Sequence, residues 1–111
     1  ELENTMIAGQ WIVANYNDSG VDETNDFNDF VFDFNTDGSV TSTNGTVAVT
    51  GTWSAIIDSG QLKLVLEFGT VIPFDEFNDD WDVISLETER IELRDVSGGS
   101  GEIDVLVFEK L

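Results

Sequence analysis

In Phe30-Val31-Phe32-Asp33-Phe34-Asn35, aromatic side chains alternate with smaller or polar ones. The segment from Leu62 to Phe68 alternates in the same way, and Ile91-Glu92-Leu93-Arg94 repeats the pattern more briefly. A period of two places apolar side chains on one face of an extended strand and polar side chains on the other. The pattern therefore predicts an antiparallel sheet with one face on a hydrophobic core.

Turn signals separate the predicted strands. Asn35-Thr36-Asp37-Gly38 predicts a tight reversal, and Asn44-Gly45 predicts a two-residue type I′ hairpin. Asp58-Ser59-Gly60 and the stretch from Ser97 to Gly101 predict two more hairpins, and Thr88-Glu89 is a weaker turn inferred from spacing. The predicted strands cover residues 9–17, 27–35, 39–43, 46–57, 61–68, 81–87, 90–96 and 103–110. Short helical segments are predicted over residues 2–7 and 74–78.

Eight hairpin-linked strands without helical crossovers form a meander, which buries one apolar face by closing into a barrel or by folding into a sandwich. Closure removes the unpaired edges of the sheet, so we favour the barrel. The prediction is one all-β domain over residues 1–111, an antiparallel up-and-down eight-stranded barrel with a short N-terminal helical cap. The facing of Trp81–Glu87 and Ile103–Glu109 stays open, because both segments carry apolar residues in both registers.

The composition is strongly acidic, with 23 acids, 4 bases and a formal net charge of -19. A polyanion is repelled by nucleic acid and by anionic lipid headgroups, so we expect neither as a partner and no membrane insertion by this domain. The chain contains neither cysteine nor histidine, which excludes disulfides, Cys/His zinc sites and imidazole-based catalysis. We therefore predict no enzyme, no cofactor and no metal centre. Paired carboxylates, as used in glycoside hydrolysis, are the remaining catalytic alternative.

Motifs spread over nearly the whole chain are similar to those of a known family. They are Gly9-Gln10-Trp11, the segment from Phe32 to Val40, Gly51-Thr52-Trp53, Asn78-Asp79-Asp80-Trp81 and the segment from Ser97 to Lys110. Together they resemble the small lipocalin-like, calycin-type domains of secreted and lipid-anchored Bacteroidota proteins. The resemblance implies a calycin-type barrel and an extracytoplasmic location. We expect any export signal or lipid-anchor cysteine to lie upstream of Glu1.

The resemblance also implies roles for two residues. In lipocalins the tryptophan of the G-x-W motif plugs the closed end of the barrel, which implies this role for Trp11. A late lipocalin arginine covers that tryptophan, and Arg94 is the candidate for it. The chain departs from full lipocalins because it is much shorter, has no C-terminal helix and lacks a clear T-D-Y motif. These departures argue against a cavity as large as that of a typical lipocalin.

Both long connections are predicted at one end of the barrel. In an up-and-down barrel successive connections alternate between the ends, so residues 18–26, 44–45, 69–80 and 97–101 share one end. Long connections in compact domains are often functional, which makes this end the predicted mouth. The mouth is acidic, with Asp18, Asp22, Glu23, Asp26, Asp75, Glu76, Asp79 and Asp80. Such an oxygen-rich rim suits a weak calcium site, although loop acids without a ligand role are commoner.

The candidate ligand-binding residues are aromatic and belong to the predicted interior or its mouth: Phe30, Phe32, Phe34, Trp53, Phe68, Phe74, Phe77 and Trp81. These side chains either line a pocket for an apolar or flat ligand or fill a narrow barrel as its core. Phe74, Phe77 and Trp81 lie in or beside the long fifth connection. There they act either as a lid over the mouth or as an anchor that pins the connection to the barrel.

Together these features predict an extracytoplasmic binding module that takes a small hydrophobic or cationic ligand at the barrel mouth. The alternative is a pocketless protein-interaction or structural domain of a cell-surface lipoprotein. Such a domain would meet an unidentified surface protein through its outer face or its acidic rim. We expect a monomer in either case.

Overall fold

The computed structural model describes residues 1–96 and 101–111, so the predicted Ser97–Gly101 turn lies almost entirely outside the described residues. Two 3-10 helices, Thr24–Phe27 and Phe74–Phe77, lie in the long connections. No helix in the described ranges has the length and apolar composition needed to cross a membrane. The remaining described elements are α1 (Leu2–Ile7), β1 (Gln10–Asp18), β2 (Val21–Asp22), β3 (Val31–Phe34), β4 (Ser39–Thr43), β5 (Ala48–Asp58), β6 (Gln61–Glu67), β7 (Asp79–Leu86), β8 (Arg90–Val96) and β9 (Ile103–Lys110).

The long strands close into an eight-stranded antiparallel barrel, which confirms the predicted fold. Each long strand pairs with its neighbour in sequence, and β9 returns to pair with β1, where Val13 lies opposite Phe108. The short β2 extends the sheet beside the end of β1 and does not join the closed ring. The apolar face of the sheet is therefore buried inside the ring, as closure requires.

Alternation along the strands places the core inside the barrel. In β3, Phe32 and Phe34 are buried, whereas the intervening Asp33 is only half-buried. The ring of Phe68 approaches β5 closely, and this approach requires Gly51. A Cβ atom at that position would collide with the Phe68 ring and with the carbonyl oxygen of Glu67.

Two hairpins reverse the chain in different ways. Ser59 and Gly60 have positive φ values of 53° and 82°, so the β5–β6 hairpin has the two-residue type I′ geometry. The type I′ prediction for Asn44-Gly45 is wrong, because residues 44–47 form a longer connection in which Gly45 alone has a positive φ. The Asn44 side chain accepts hydrogen bonds from the backbone N–H groups of Thr46 and Val47, and these bonds hold the wider turn.

The strand predicted over residues 27–35 is shorter in the structure, because the 3-10 helix Thr24–Phe27 and a short loop precede β3. The Thr24 hydroxyl explains this helix. It donates a 2.6 Å hydrogen bond to the Asp22 carboxylate and accepts a 2.9 Å bond from the backbone N–H of Tyr16. These bonds tie the first long connection to β1 and direct the buried Phe27 inward.

The two segments without a facing prediction both lie at bulges. β7 carries an irregularity against β8 between Val83 and Ser85, and β1 carries one against β9 between Val13 and Asn15. A bulge inserts an unpaired residue and reorients the side chains that follow. The β1 bulge faces residues 107–108 of β9, where consecutive side chains are buried. Simple alternation therefore fails locally at both places.

The N-terminal helix closes the end of the barrel opposite the long connections. Trp11 is fully buried there, and its indole N–H donates a 2.9 Å hydrogen bond to the carbonyl oxygen of Met6 in α1. The role expected for Arg94 is wrong, because Arg94 is exposed on the outer face and bonds to Glu92. Instead, the ammonium group of Lys110 lies 5.8 Å from the centre of the Trp11 ring.

Candidate functional site

Aromatic rings close the end of the barrel that carries the long connections. Phe27, from the first long connection, stacks on Phe77, from the connection between β6 and β7, with ring centres 4.3 Å apart. Tyr16 meets both rings edge-on, at 5.7 Å and 5.0 Å. Phe74 and Phe77 are 2% and 0% exposed, so their connection is anchored by rings that point inward. We call Phe27, Phe74 and Phe77 the aromatic plug.

Most of the predicted ligand-binding residues come together in this plug or in contact with it. Phe30 is half-buried and the other seven are buried. The Phe32 ring lies 5.9–6.4 Å, centre to centre, from those of Phe68, Phe74 and Phe77. Phe30 meets Phe74 edge-on at 5.0 Å. These are the separations of directly packed aromatic side chains, so the rings fill the space between one another.

The remaining predicted residues flank this cluster. Phe34 meets Trp53 edge-on at 5.6 Å, and the Trp53 indole N–H donates a 3.0 Å hydrogen bond to the carbonyl oxygen of Asn35. The Trp81 indole N–H donates a 2.9 Å bond to the carbonyl oxygen of Phe77. Since an indole has a single donor, neither tryptophan has one free to orient a ligand in this conformation.

Sequence reasoning missed three rings of the same cluster: Tyr16, Phe27 and Phe108. Alternation counted from Trp11 predicts that Tyr16 faces outward. Tyr16 faces inward in the structure, because the bulge after Val13 reverses the facing of the side chains that follow in β1. The position of Phe27 was not predicted, because the sequence pattern predicts a strand over residues 27–35 and the structure has a 3-10 helix at Thr24–Phe27. The Thr24 hydroxyl, positioned two residues after an aspartate, was the available signal for a turn there.

Three carboxylates meet beside the plug: Asp18 at the end of β1, Glu23 in the first long connection and Glu76 in the second 3-10 helix. Each has an oxygen atom within 4.8 Å of the others, and we call them the first acidic group. The Tyr16 hydroxyl donates a 3.4 Å hydrogen bond to Glu76. Burial, a hydrogen bond with Glu23 and the neighbouring negative charges raise the pKa of Glu76 to about 7. Near neutral pH, Glu76 therefore holds a proton part of the time.

A second acidic group consists of Asp79, Asp80 and Asp95, whose oxygen atoms also lie within 4.8 Å of one another. Burial and a hydrogen bond with Asp95 raise the pKa of Asp79 to about 7. A hydrogen bond from Asp79 lowers the pKa of Asp80, and so does the ammonium group of Lys63 at 3.6 Å. The second group is therefore partly neutralised by a base.

The basic side chains do not neutralise the first acidic group. Lys63 pairs with Asp80 and Asp82, and both arginines pair with Glu92 on the outer face of β8. Lys110 lies over Trp11 at the opposite end. Among residues 1–96 and 101–111, no ion pair reaches the first acidic group, and one buried oxygen of Glu23 has no hydrogen-bond partner. Negative charge is thus concentrated there without a counter-ion from the described part of the protein.

The first acidic group has the chemistry of a cation receptor. Carboxylate oxygens bind hard cations such as Ca²⁺, and they also accept charge-assisted hydrogen bonds from ammonium groups. Asp104 adds to the negative charge nearby, and burial raises its pKa while its carboxylate accepts a 2.9 Å bond from the Ser19 backbone N–H. The first acidic group borders the aromatic plug, because Tyr16 packs its ring against Phe77 and donates its hydroxyl hydrogen bond to Glu76.

The comparisons with known proteins bear on the fold. No family model matches the sequence, and no curated protein sequence matches it. The chain is similar in structure to a DUF4847 family protein from Bacteroides vulgatus ATCC 8482, with a TM-score of 0.63 and 14% sequence identity. The match covers 98% of this chain and 96% of that chain. This protein therefore shares the overall fold of that Bacteroides protein along nearly its whole length.

Proposed function

We propose that this domain is a non-catalytic binding module that holds a positively charged ligand on the first acidic group, at the plugged end of the barrel. The observation that carries the proposal is the meeting of Asp18, Glu23 and Glu76 without a basic side chain beside them. We further propose that the domain works outside the cytoplasm, in keeping with its resemblance to secreted and lipid-anchored Bacteroidota domains.

The packing of the plug supports a ligand on the first acidic group, which we also call the rim, rather than inside the barrel. A hydrophobic ligand in the interior would have to displace rings whose centres lie as little as 4.3 Å apart. Exposing a buried phenylalanine costs about 1.5–3 kcal/mol for each ring. A ligand bound to the first acidic group leaves all these ring contacts intact. Of the two ligand classes predicted from the sequence, hydrophobic and cationic, this geometry therefore favours the cationic one.

The raised pKa of Glu76 supplies a mechanism for cation binding. Without a ligand, a proton held by Glu76 relieves its repulsion with Glu23 and Asp18. An ammonium group placed between these three residues would take over that role. Because the cation favours the ionised carboxylate, binding would lower the pKa of Glu76 and release a proton near pH 7.

A specific observation also favours the alternative, a protein-interaction domain. Val96 and Ile103 are paired across β8 and β9, and they are 56% and 42% exposed. Val21, also at this end of the barrel, is 59% exposed. Aliphatic side chains beside an acidic rim are suited to a basic protein surface that covers both. In that case the positively charged ligand is a side chain of a partner protein.

The polyamine spermidine is a suitable first probe of the rim. We expect Glu76→Gln to weaken spermidine binding by about tenfold, since one charge-assisted contact is lost. Glu87→Gln is the matched control, because it removes an exposed acid at the opposite end of the barrel. Isothermal titration calorimetry near pH 7 gives the affinities. Repeating the titration in buffers of different ionisation enthalpy counts the released protons.

An equal loss of affinity in both variants would show that only the overall net charge attracts the cation, and the rim proposal would fail. Binding without proton release would remove Glu76 from the mechanism. Tight binding of CaCl2 without binding of spermidine would replace the ammonium ligand by a divalent metal ion.

A further inference from the structure

A cleft lies at the opposite end of the barrel, between α1 and the tip of the β5–β6 hairpin. Its volume is about 370 Å³, which falls within the range of ligand pockets. The cleft is lined by apolar and acidic residues: Glu1, Leu2, Glu3, Ala55, Ile56, Ile57 and Leu62. We call it the hairpin cleft.

One edge of β5 is unpaired beside this cleft. Pairing with β4 ends at Thr52, although β5 continues to the hairpin turn, and β6 covers only its other edge. The backbone N–H of Trp53 points to the β4 side, where it bonds to the Gly38 carbonyl oxygen. Because strand residues alternate, Ala55 and Ile57 direct their N–H and C=O groups to the same side. No strand in the described part of the chain pairs there, and such an edge is a template for an added strand.

The side chains beside this edge are unusually apolar for an exposed position. Ile57 is 74% exposed and Ile56 is 40% exposed. Ile57 lies opposite Leu62 and shares the inward register of the buried Trp53, so it belongs to the inner face of the hairpin and not to its outer face. An inward-facing isoleucine that is left largely in water gains free energy when a partner covers it.

The charge around the hairpin cleft indicates the sign of that partner. Glu1 and Glu3 line the cleft from α1, and Asp58 ends the strand that lines its other side. Among the described residues, no lysine or arginine lines the cleft; Lys63, which lies opposite Ile56, pairs instead with Asp80 and Asp82. A second copy of the chain would bring two net charges of -19 together, which opposes self-association here. A positively charged partner is complementary to this surface.

We propose that the hairpin cleft docks an extended, basic segment of a partner protein. The segment adds as a strand to the free edge of β5 beyond Thr52, places an aliphatic side chain against Ile57 and directs basic side chains to Glu1 and Glu3. Main-chain hydrogen bonds supply affinity, and the apolar contact supplies specificity. This site is distinct from the rim, and its occupation does not depend on the function proposed for the first acidic group.

A short capped peptide of alternating lysine and valine tests the proposal, with fluorescence anisotropy as the readout. We expect the full chain to bind this peptide and Ile57→Ser to weaken binding by about tenfold, the loss of one buried aliphatic contact. Ile72→Ser is the matched control, because Ile72 is 81% exposed in the connection at the opposite end. That variant should bind as the parent does. Neither substitution alters the charge, so long-range attraction is equal in all three proteins.

Two further peptides separate the contributions. Replacing valine by serine in the peptide should reduce affinity as much as Ile57→Ser does, and backbone N-methylation should abolish binding because it removes the donors to the β5 edge. Equal binding by the parent, Ile57→Ser and Ile72→Ser would overturn the proposal, as would undiminished binding of the N-methylated peptide. A concentration-dependent dimer that Ile57→Ser disrupts, measured by analytical ultracentrifugation, would assign the cleft to a second copy of the chain.

Discussion

Replacing Phe77 by alanine is expected to lower the free energy of unfolding by about 3–5 kcal/mol. Phe77 is fully buried, and its ring contacts those of Tyr16, Phe27 and Phe74. Truncation removes these contacts and leaves a cavity that the surrounding rings fill only in part. A loss of this size corresponds to a fall in melting temperature of more than about 10 °C for a domain of this length. Thermal unfolding followed by far-UV circular dichroism measures it.

Ile72→Ala provides the control for this experiment, because Ile72 lies in the same connection and is 81% exposed. Its effect should stay within about 0.5 kcal/mol, as is usual for surface substitutions. If Phe77→Ala melts at the temperature of the parent protein, the plug is a lid without a structural role. The interior would then be the first place to search for a hydrophobic ligand, and the preference for the rim would be lost.

Stability is expected to fall as the pH rises from about 5 to about 8. The pKa values of Glu76 and Asp79, ordinarily 4.5 and 3.8, are raised to about 7 in the folded protein, mainly by burial. Between these limits the folded state binds more protons than the unfolded state, so each proton lost on passing pH 7 destabilises the fold. Below about pH 4 the trend reverses. Hydrogen bonds from neighbouring hydroxyl groups lower the pKa values of Asp22 and Asp37, and their stabilisation is lost on protonation.

Glu76→Gln separates this local effect from the general repulsion among acids. The amide still donates a hydrogen bond to Glu23 but does not titrate. The variant should therefore melt at a higher temperature than the parent near pH 8, with a shallower dependence on pH. Glu87→Gln removes one exposed charge at the opposite end and should keep the slope of the parent. Parallel pH profiles for all three proteins would show that Glu76 does not hold a proton in the folded state.

Much of the candidate site could be predicted from the order of the chain. Alternating connections place Glu23 and Glu76 at one end of any eight-stranded meander, whatever the details of its turns. Their convergence with Asp18 into a group less than 5 Å across could not be predicted. It depends on the 3-10 helix that begins at Thr24, whose hydroxyl bonds to Asp22, and on the buried position of Phe77 in the second 3-10 helix.

The hairpin cleft shows the same limit more clearly. The sequence predicts the turn at Ser59-Gly60 and both strands of the hairpin. The free edge arises because β4 is five residues long and β5 is eleven. The unpaired edge cannot be predicted from strand lengths alone, because its position depends on the register in which β4 and β5 pair.

The sequence alone was enough to predict a meander of antiparallel strands with one apolar face, because period-two alternation and turn residues act through neighbouring atoms of the chain. The preference for a barrel over a sandwich rested on the removal of unpaired sheet edges by closure. Three features follow from the tertiary structure instead: Phe74 and Phe77 point inward as a plug, a bulge turns Tyr16 toward them, and burial beside Glu23 raises the pKa of Glu76. These outcomes depend on distances between segments far apart in sequence. Packing sets those distances, because a buried ring or a buried carboxylate is stable only where partners from other elements surround it.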